Sequence, residues 1–300
     1  MTREANTLKR AMDSVPMIIA GHLIGGVASG ASKQFTESVI QQGKQWIASR
    51  FQDHQVKAVE KANRNANDFV ERLALKIHRL EEAREVDSAL INRALEEPNF
   101  GALLQSALIG SAQTESQEKH ELLATLISCR LTAANESLLT ATSQIATNAI
   151  SHCSLKHLQF LGFCASFCIK WSGFLNLEIG DETGLIDGCR NWFETRFAPY
   201  KTLTFSQIDL LHLESVSCAG INQFTPSVNA AMADAWTTEK WQLRESHLRN
   251  YEVGECIIRL WNSFGKMTRL TSVGFLIGWM VSDQLCGADS TKFTKEWTGA

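Results

Sequence analysis

A chain of 300 residues that is 44% hydrophobic and 20% charged is long enough to bury a sizeable core and too apolar to stay disordered. Its 29 Lys and Arg against 32 Asp and Glu leave a formal net charge of -3, and the balance is local as well as global. Residues 1–100 hold 14 basic and 13 acidic groups, and residues 155–300 hold 13 and 15, so no basic region offers a nucleic-acid footprint.

Four prolines and two tyrosines, with Ala, Leu, Ser, Gln and Glu recurring between few turn clusters, predict a mainly α fold. The expected architecture is a helical bundle with a long N-terminal helix, then a C-terminal winged-helix-like α module with minor β. Residues 1–50 form a glycine-rich apolar segment. Within it, residues 15–32 lack any charged side chain and place Gly21, Gly25, Gly26 and Gly30 in two tandem G-x-x-x-G units. Small residues four apart leave a groove on a helix through which a second backbone approaches closely. The stretch is shorter than the roughly 20 apolar residues of a spanning helix, and Asp13, His22 and the glycines interrupt a signal-peptide core. Two readings remain: a closely packed soluble hairpin or loop, and an element for self-association or membrane contact.

Residues 51–152 read as a helical bundle or stalk. Val59, Ala62, Ala66, Phe69, Leu73, Ile77 and Leu80 recur at three and four residues, the seam of one long helix running to about Leu95. Glu60 with Arg64 and Asp68 with Arg72 are i,i+4 pairs on its solvated face. Pro98 ends that helix. A short buried helix around Leu103, Leu104 and Leu108 stops near Gly110. Thr114 to Gln117 reads as a capping box for the next helix, and a third carries Leu138, Leu139, Ile145 and Ile150.

From residue 153 to 300 the character changes, with seven of the eight tryptophans and most of the cysteines. Ser154, Ser206, Thr225 before Pro226, and Thr271 or Ser272 are the expected N-caps. Helix from Ile257 to Phe264, a turn at Gly265, a basic extended piece from Lys266 to Leu270 and a further helix give a winged-helix-like ending. Strand is expected only near residues 175–180 and 266–270.

Glu97-Pro98-Asn99 before an Ala/Leu helix, the Glu115 to Arg130 helix, Ser154-Leu155-Lys156-His157-Leu158 and Leu270-Thr271-Ser272-Val273-Gly274 together resemble the abortive-infection alpha (Abi-alpha) family of helical bacterial proteins, over about residues 90–285. The resemblance implies a role in defence against phage, and it brings no catalytic residues or cofactor with it. The glycine-rich N-terminus lies outside it.

No G-x-S-x-G, G-x-x-x-x-G-K-[ST] or G-x-G-x-x-G occurs, and Ala124 stands where a zincin helix beginning at His120-Glu121 needs its second histidine. All eight cysteines lie at or after Cys129, mostly among apolar neighbours, as reduced core thiols in a cytoplasmic protein do. Cys153, His157, Cys164 and Cys168 have spacings that zinc accepts, set against a plainer role as core. Arg259, Lys266 and Arg269 are the candidate contacts of the winged-helix-like end to protein or DNA, with protein favoured by the acidic balance of the module. The sequence thus leads to a non-enzymatic, cofactor-free protein that self-associates, with membrane contact and an unidentified protein partner as further expectations. The alternative is a soluble adaptor or regulator.

Overall fold

The computed structural model describes residues 30–50, 56–134, 137–168, 181–237 and 241–287. Among these residues there are thirteen α-helices and one two-stranded sheet, so the fold is mainly α as expected. Gly21, Gly25, Gly26 and residues 175–180 lie outside the described residues, and Gly30 is the first residue of the first described helix. No described helix is long and apolar enough to cross a membrane. The chain divides into two compact units, one ending at Ser151 and the other beginning at His152.

The first unit contains α1 (Gly30–Arg50), α2 (Val56–Glu82), α3 (Ser88–Glu96), α4 (Pro98–Ala112), α5 (Gln117–Leu131) and α6 (Leu138–His152). Helix α2 is its organiser, packing on α1, α4 and α5. All seven seam residues read from the sequence are buried, together with Val70. The small Ala62 and Ala66 let neighbours approach, while Phe69, Leu73 and Ile77 fill the interior. The expected single long helix stops at Glu82. Arg84 takes the left-handed conformation (φ 57°), which helical backbone does not tolerate, and Asp87 then caps α3 by accepting the Leu90 N–H. Pro98 occupies the first turn of α4, where its missing N–H costs nothing.

Helix α4 runs through Gly110 to Ala112, and the cap of α5 is Ser116, two residues later than the sequence pattern placed it. On α6, Leu139 and Ile150 are buried but Leu138 and Ile145 are exposed. Along one edge of α2, Arg72 bonds Asp68 (2.9 Å) and Glu121 (3.3 Å), and Lys76 reaches Glu121 (2.6 Å). Buried His120 lies between Asp68 (2.6 Å) and the carbonyl oxygens of Ser111 and Thr114. The zincin-like dipeptide is therefore part of an ionic brace between α2 and α5.

The second unit contains α7 (Leu155–Cys168), α8 (Glu182–Phe197), α9 (Gln207–Ser215), β1 (Ala219–Ile221), α10 (Val228–Ala235), α11 (Glu245–Leu248), α12 (Gly254–Ser263), β2 (Thr268–Leu270) and α13 (Ser272–Cys286). Its centre is the pair α7 and α13, apolar around most of their circumference and thus able to be buried on all sides. A Cβ at Gly278 would overlap the Leu161 carbonyl oxygen, and one at Gly274 would overlap that of Cys218, so α13 meets its neighbours backbone to backbone. One turn on, the Ser166 and Ser282 hydroxyls share a buried hydrogen bond (2.5 Å). Around this pair Phe163 and Phe167 pack against Phe197, with Trp261 stacked on Phe167. Arg196 donates to Asp283 (2.6 Å) inside the unit, its guanidinium over the Trp279 ring.

Strands β1 and β2 pair antiparallel, Ala219 opposite Leu270 and Ile221 opposite Thr268. The expected extended piece is present as β2, and three-residue β1 was missing from the sequence reading because so short a strand shows no alternation. The helix, strand and helix order holds, but β2 pairs with β1 some fifty residues earlier in the chain and runs directly into α13. The basic residues thus lie in a 3-10 turn and a strand rather than in a hairpin wing. Thr271 caps α13 as expected. The cap of α10 is Ser227, not Thr225, since the Pro226 carbonyl is taken by the Trp261 indole N–H.

Candidate functional site

The densest cluster of chemically capable side chains in the second unit is assembled by two helix caps. Only Cys153 and Ser154 separate the ends of α6 and α7. Ser154 begins α7 as the sequence predicts. Its Oγ accepts the His157 N–H (3.4 Å), while its own N–H donates to His157 Nδ1 (3.1 Å). This is a capping box with an imidazole where Glu or Gln more often stands. Because Nδ1 accepts, the ring proton sits on Nε2, which faces Asp209 Oδ1 at 3.1 Å.

Asp209 belongs to a second capping box, at the start of α9. There Ser206 donates to Oδ2 through its N–H (2.8 Å) and its hydroxyl (2.6 Å). Lys156 adds an ion pair to Oδ1 (2.7 Å). Burial opposes ionisation of this carboxyl, but the hydrogen bonds from Lys156, Ser206 and His157 outweigh it and hold Asp209 well below the usual carboxylate range. His212, one turn along α9, stacks on His157 with 4.7 Å between ring centres and donates from Nε2 to the His152 carbonyl oxygen (3.0 Å). The two caps are thus joined tip to tip.

Against this frame lies a pair of thiols. Cys153 is 1% exposed and Cys218 is fully buried; the two thiols influence one another electrostatically, and the Cys218 thiol donates to the Val216 carbonyl oxygen (3.7 Å). The neighbouring Cys218 is the main reason that the Cys153 thiol is brought down to about 5. Burial works the other way, and His157 and His212 assist the shift. Cys218 is pushed far above the ordinary thiol range by its Cys153 neighbour and by burial. Cys218 sits just after Ser217, which has a left-handed backbone (φ 62°), and its carbonyl oxygen accepts the Thr271 N–H (3.2 Å) at the start of α13.

Cys153, His157 and Asp209 carry the residue types of a nucleophile, base and orienter. A base must have a nitrogen free to take the nucleophile's proton. His157 Nδ1 accepts the Ser154 N–H and Nε2 faces Asp209, and the neighbouring Cys153 thiol, against the opposing effect of burial and with help from Asp209, raises the imidazole above its ordinary value. The metal alternative also looks different in three dimensions. Cys153 and His157 come together, but buried Cys164 is two turns farther along α7, and the Cys168 side chain lies outside the described residues. Among the described residues no group of three or more His, Cys, Asp or Glu side chains has an arrangement that could hold a metal ion.

Arg259 donates to the carbonyl oxygens of Leu203 and Lys201 (both 3.3 Å), tying α12 to the turn after α8. Lys266 is half-buried in the turn before β2, and Arg269 is exposed on β2. Asp209 carried a readable signal in Ser206-x-x-Asp209. Cys218 carried none, being 65 positions from Cys153.

A protein-family model whose description is ":-like" matches residues 34–259, well over half of the chain. The chain belongs to that family. The match spans α2, the two capping boxes and both thiols of the cluster. No curated protein and no solved structure matches the chain.

Proposed function

We propose that this protein is a non-catalytic, abortive-infection-type bacterial defence protein that works by self-association, with its N-terminal segment engaged at a membrane or in the assembly. The observation that carries the reading is the apolar surface of the second unit around α9 and β1. Ile208 is 78% exposed and Phe224 85%, with Leu211 and Ile221 exposed beside them in sequence. Ile208 and Leu211 lie on α9, Ile221 on β1, which packs against α9, and Phe224 three residues beyond it. A concentration of large apolar groups in water is the mark of a protein contact surface rather than of an isolated exposed residue. The even charge balance supports a contact role over nucleic-acid binding. The resemblance of residues 90–285 to the abortive-infection proteins supports the biological setting.

Sedimentation velocity across a concentration series tests the reading, comparing the full chain with Ile208→Glu and Phe224→Glu, alongside plaque counts in bacteria expressing each. Self-association of the parent chain, lost in both variants together with protection against phage, is expected. A parent chain that stays monomeric into the tens of micromolar while protecting equally well would move the reading to the soluble adaptor. Liposome leakage measured for the full chain and for a chain lacking residues 1–29 separates membrane action from assembly.

A further inference from the structure

The brace between α2 and α5 turns on a proton. The His120 ring is 2% exposed, and among the described residues its nitrogens meet acceptors alone. Asp68 Oδ2 lies on Nδ1 (2.6 Å), and the Ser111 and Thr114 carbonyl oxygens lie on Nε2 (3.1 and 3.0 Å). A neutral imidazole has one N–H and one lone pair, so in this place it would turn the lone pair onto an oxygen, away from water. We propose that His120 is a doubly protonated latch that fastens the end of α4 and the α4–α5 turn to α2, and that loss of one proton above neutral pH releases them.

The surroundings favour two protons from both sides of the ring. On the Nδ1 side, burial opposes ionisation of Asp68, but the hydrogen bonds from Arg72 and His120 outweigh it and hold the carboxyl below its ordinary range. That anion keeps the Nδ1 proton in place, so the Nε2 proton is the one to leave. On the Nε2 side the ring meets the last turn of α4, whose aligned peptide dipoles favour a cation at that end. Helix α4 brings no titratable side chain of its own. From α2, Arg72 faces Asp68 and Glu121, Lys76 faces Glu121, and the Glu71 carboxyl is pushed up by burial and by Asp68. In the turn, Glu115 pairs with Lys61 of α2 (2.5 Å). On α5 itself, Glu118 accepts the Ser116 hydroxyl and Lys119 reaches the Ser151 carbonyl oxygen.

Loss of the Nε2 proton acts on the turn first. The Ser111 carbonyl still accepts the Thr114 N–H (3.1 Å), whereas the Thr114 carbonyl loses the donor that His120 supplied. The contribution of the latch is therefore present at low pH and lost as pH rises through the release.

The test uses the full chain with its histidine rings labelled with nitrogen-15, the His120 resonances being assigned by their loss in His120→Gln. At about pH 7 both His120 ring nitrogens should carry a proton, and a bare ring nitrogen there overturns the latch. Release is read by hydrogen exchange and mass spectrometry on peptides covering residues 111–120, corrected for the intrinsic pH dependence of exchange. Between about pH 6 and about pH 9, exchange in that stretch should rise about tenfold or more, with peptides of the second unit unchanged. A flat profile, or an equal rise in the second unit, refutes release at this site. The rise should vanish in His120→Gln, whose side chain does not titrate, and its persistence there would point to another group. Asp68→Asn covers the case in which His120→Gln fails to fold: without the anion the ring gives up its proton sooner, so the rise should move down by about one pH unit or more. The same variant then identifies the His120 resonances as those it displaces, and a rise at unchanged pH would sink the proposal.

Discussion

The two units solve the same problem, burying helices against one another, with opposite use of charge and of glycine. In the first, α2 presents one apolar face, and its ionic groups lie at the margin, where Arg72, Asp68, Lys76 and Glu121 remain partly in contact with water. In the second, α7 and α13 are buried nearly all round, the Arg196–Asp283 pair is sealed inside, and glycine lets backbones touch. Marginal charge is tolerant because water stands ready to replace a lost partner. A sealed ion pair is intolerant, because removing one member leaves the other without solvation.

The sharpest way to break this contrast is to remove one carboxylate from each unit. Asp283→Asn should destabilise the second unit by about 3–5 kcal/mol, whereas Glu121→Gln in the first should cost about 1 kcal/mol or less. Denaturant titration followed by tryptophan fluorescence, which reports mostly on the second unit, and by far-ultraviolet circular dichroism separates the two. Equal losses would mean that the ionic edge of α2 is as structurally critical as the sealed pair.

The same comparison is then sharpened with one chemical change made twice. Gly278→Ala forces a methyl group onto the Leu161 carbonyl and should cost about 3 kcal/mol. Gly101→Ala on α4 meets nothing within 4 Å and should stabilise by about 0.5–1 kcal/mol through reduced unfolded-chain entropy. A stabilising Gly278→Ala, read from the denaturation midpoint, would refute the backbone contact.

The smallest effect concerns pH. The folded Asp209 carboxyl lies below its unfolded value, so its stabilisation is in place above about pH 4 and is lost as pH falls through the folded value. Asp209→Asn should therefore lower stability by about 1 kcal/mol at pH 7, and its gap to the parent should narrow in unfolding curves taken progressively below pH 4. A gap that stays constant or widens there would show that Asp209 is not the titrating group.

How much of this was legible in the sequence follows from the same division. The α2 seam could be read residue by residue because one-sided burial writes a period of 3.6 into the chain, Pro98 announced a helix end, and Ser154, Ser206 and Thr271 announced helix starts through local chemistry alone. The break after Glu82 was hidden, since Arg84 in a left-handed turn has no side-chain signature. Helix α13 carries its own G-x-x-x-G in Gly274 and Gly278, whose signal is masked because the surrounding residues already have the composition of an apolar core helix. Of the candidate site, the caps that place His157 and Asp209 were local and readable. Their meeting, and the approach of Cys218 to Cys153, depend on tertiary packing that no spacing encodes.

The pairing of α7 with α13 also sets a timetable. Ser166 and Ser282 are 116 residues apart, which at about 5–20 residues per second is about 6–23 s of synthesis. Asp68 and His120, which tie α2 to α5, are separated by 52 residues, or about 3–10 s at the same speed. The first unit's brace is complete early, whereas α7 emerges with its phenylalanines uncovered and waits for the helix that will cover them. During that interval the nascent chain is a client for holding chaperones, and a ribosome stalled before Ser272 would leave it one permanently.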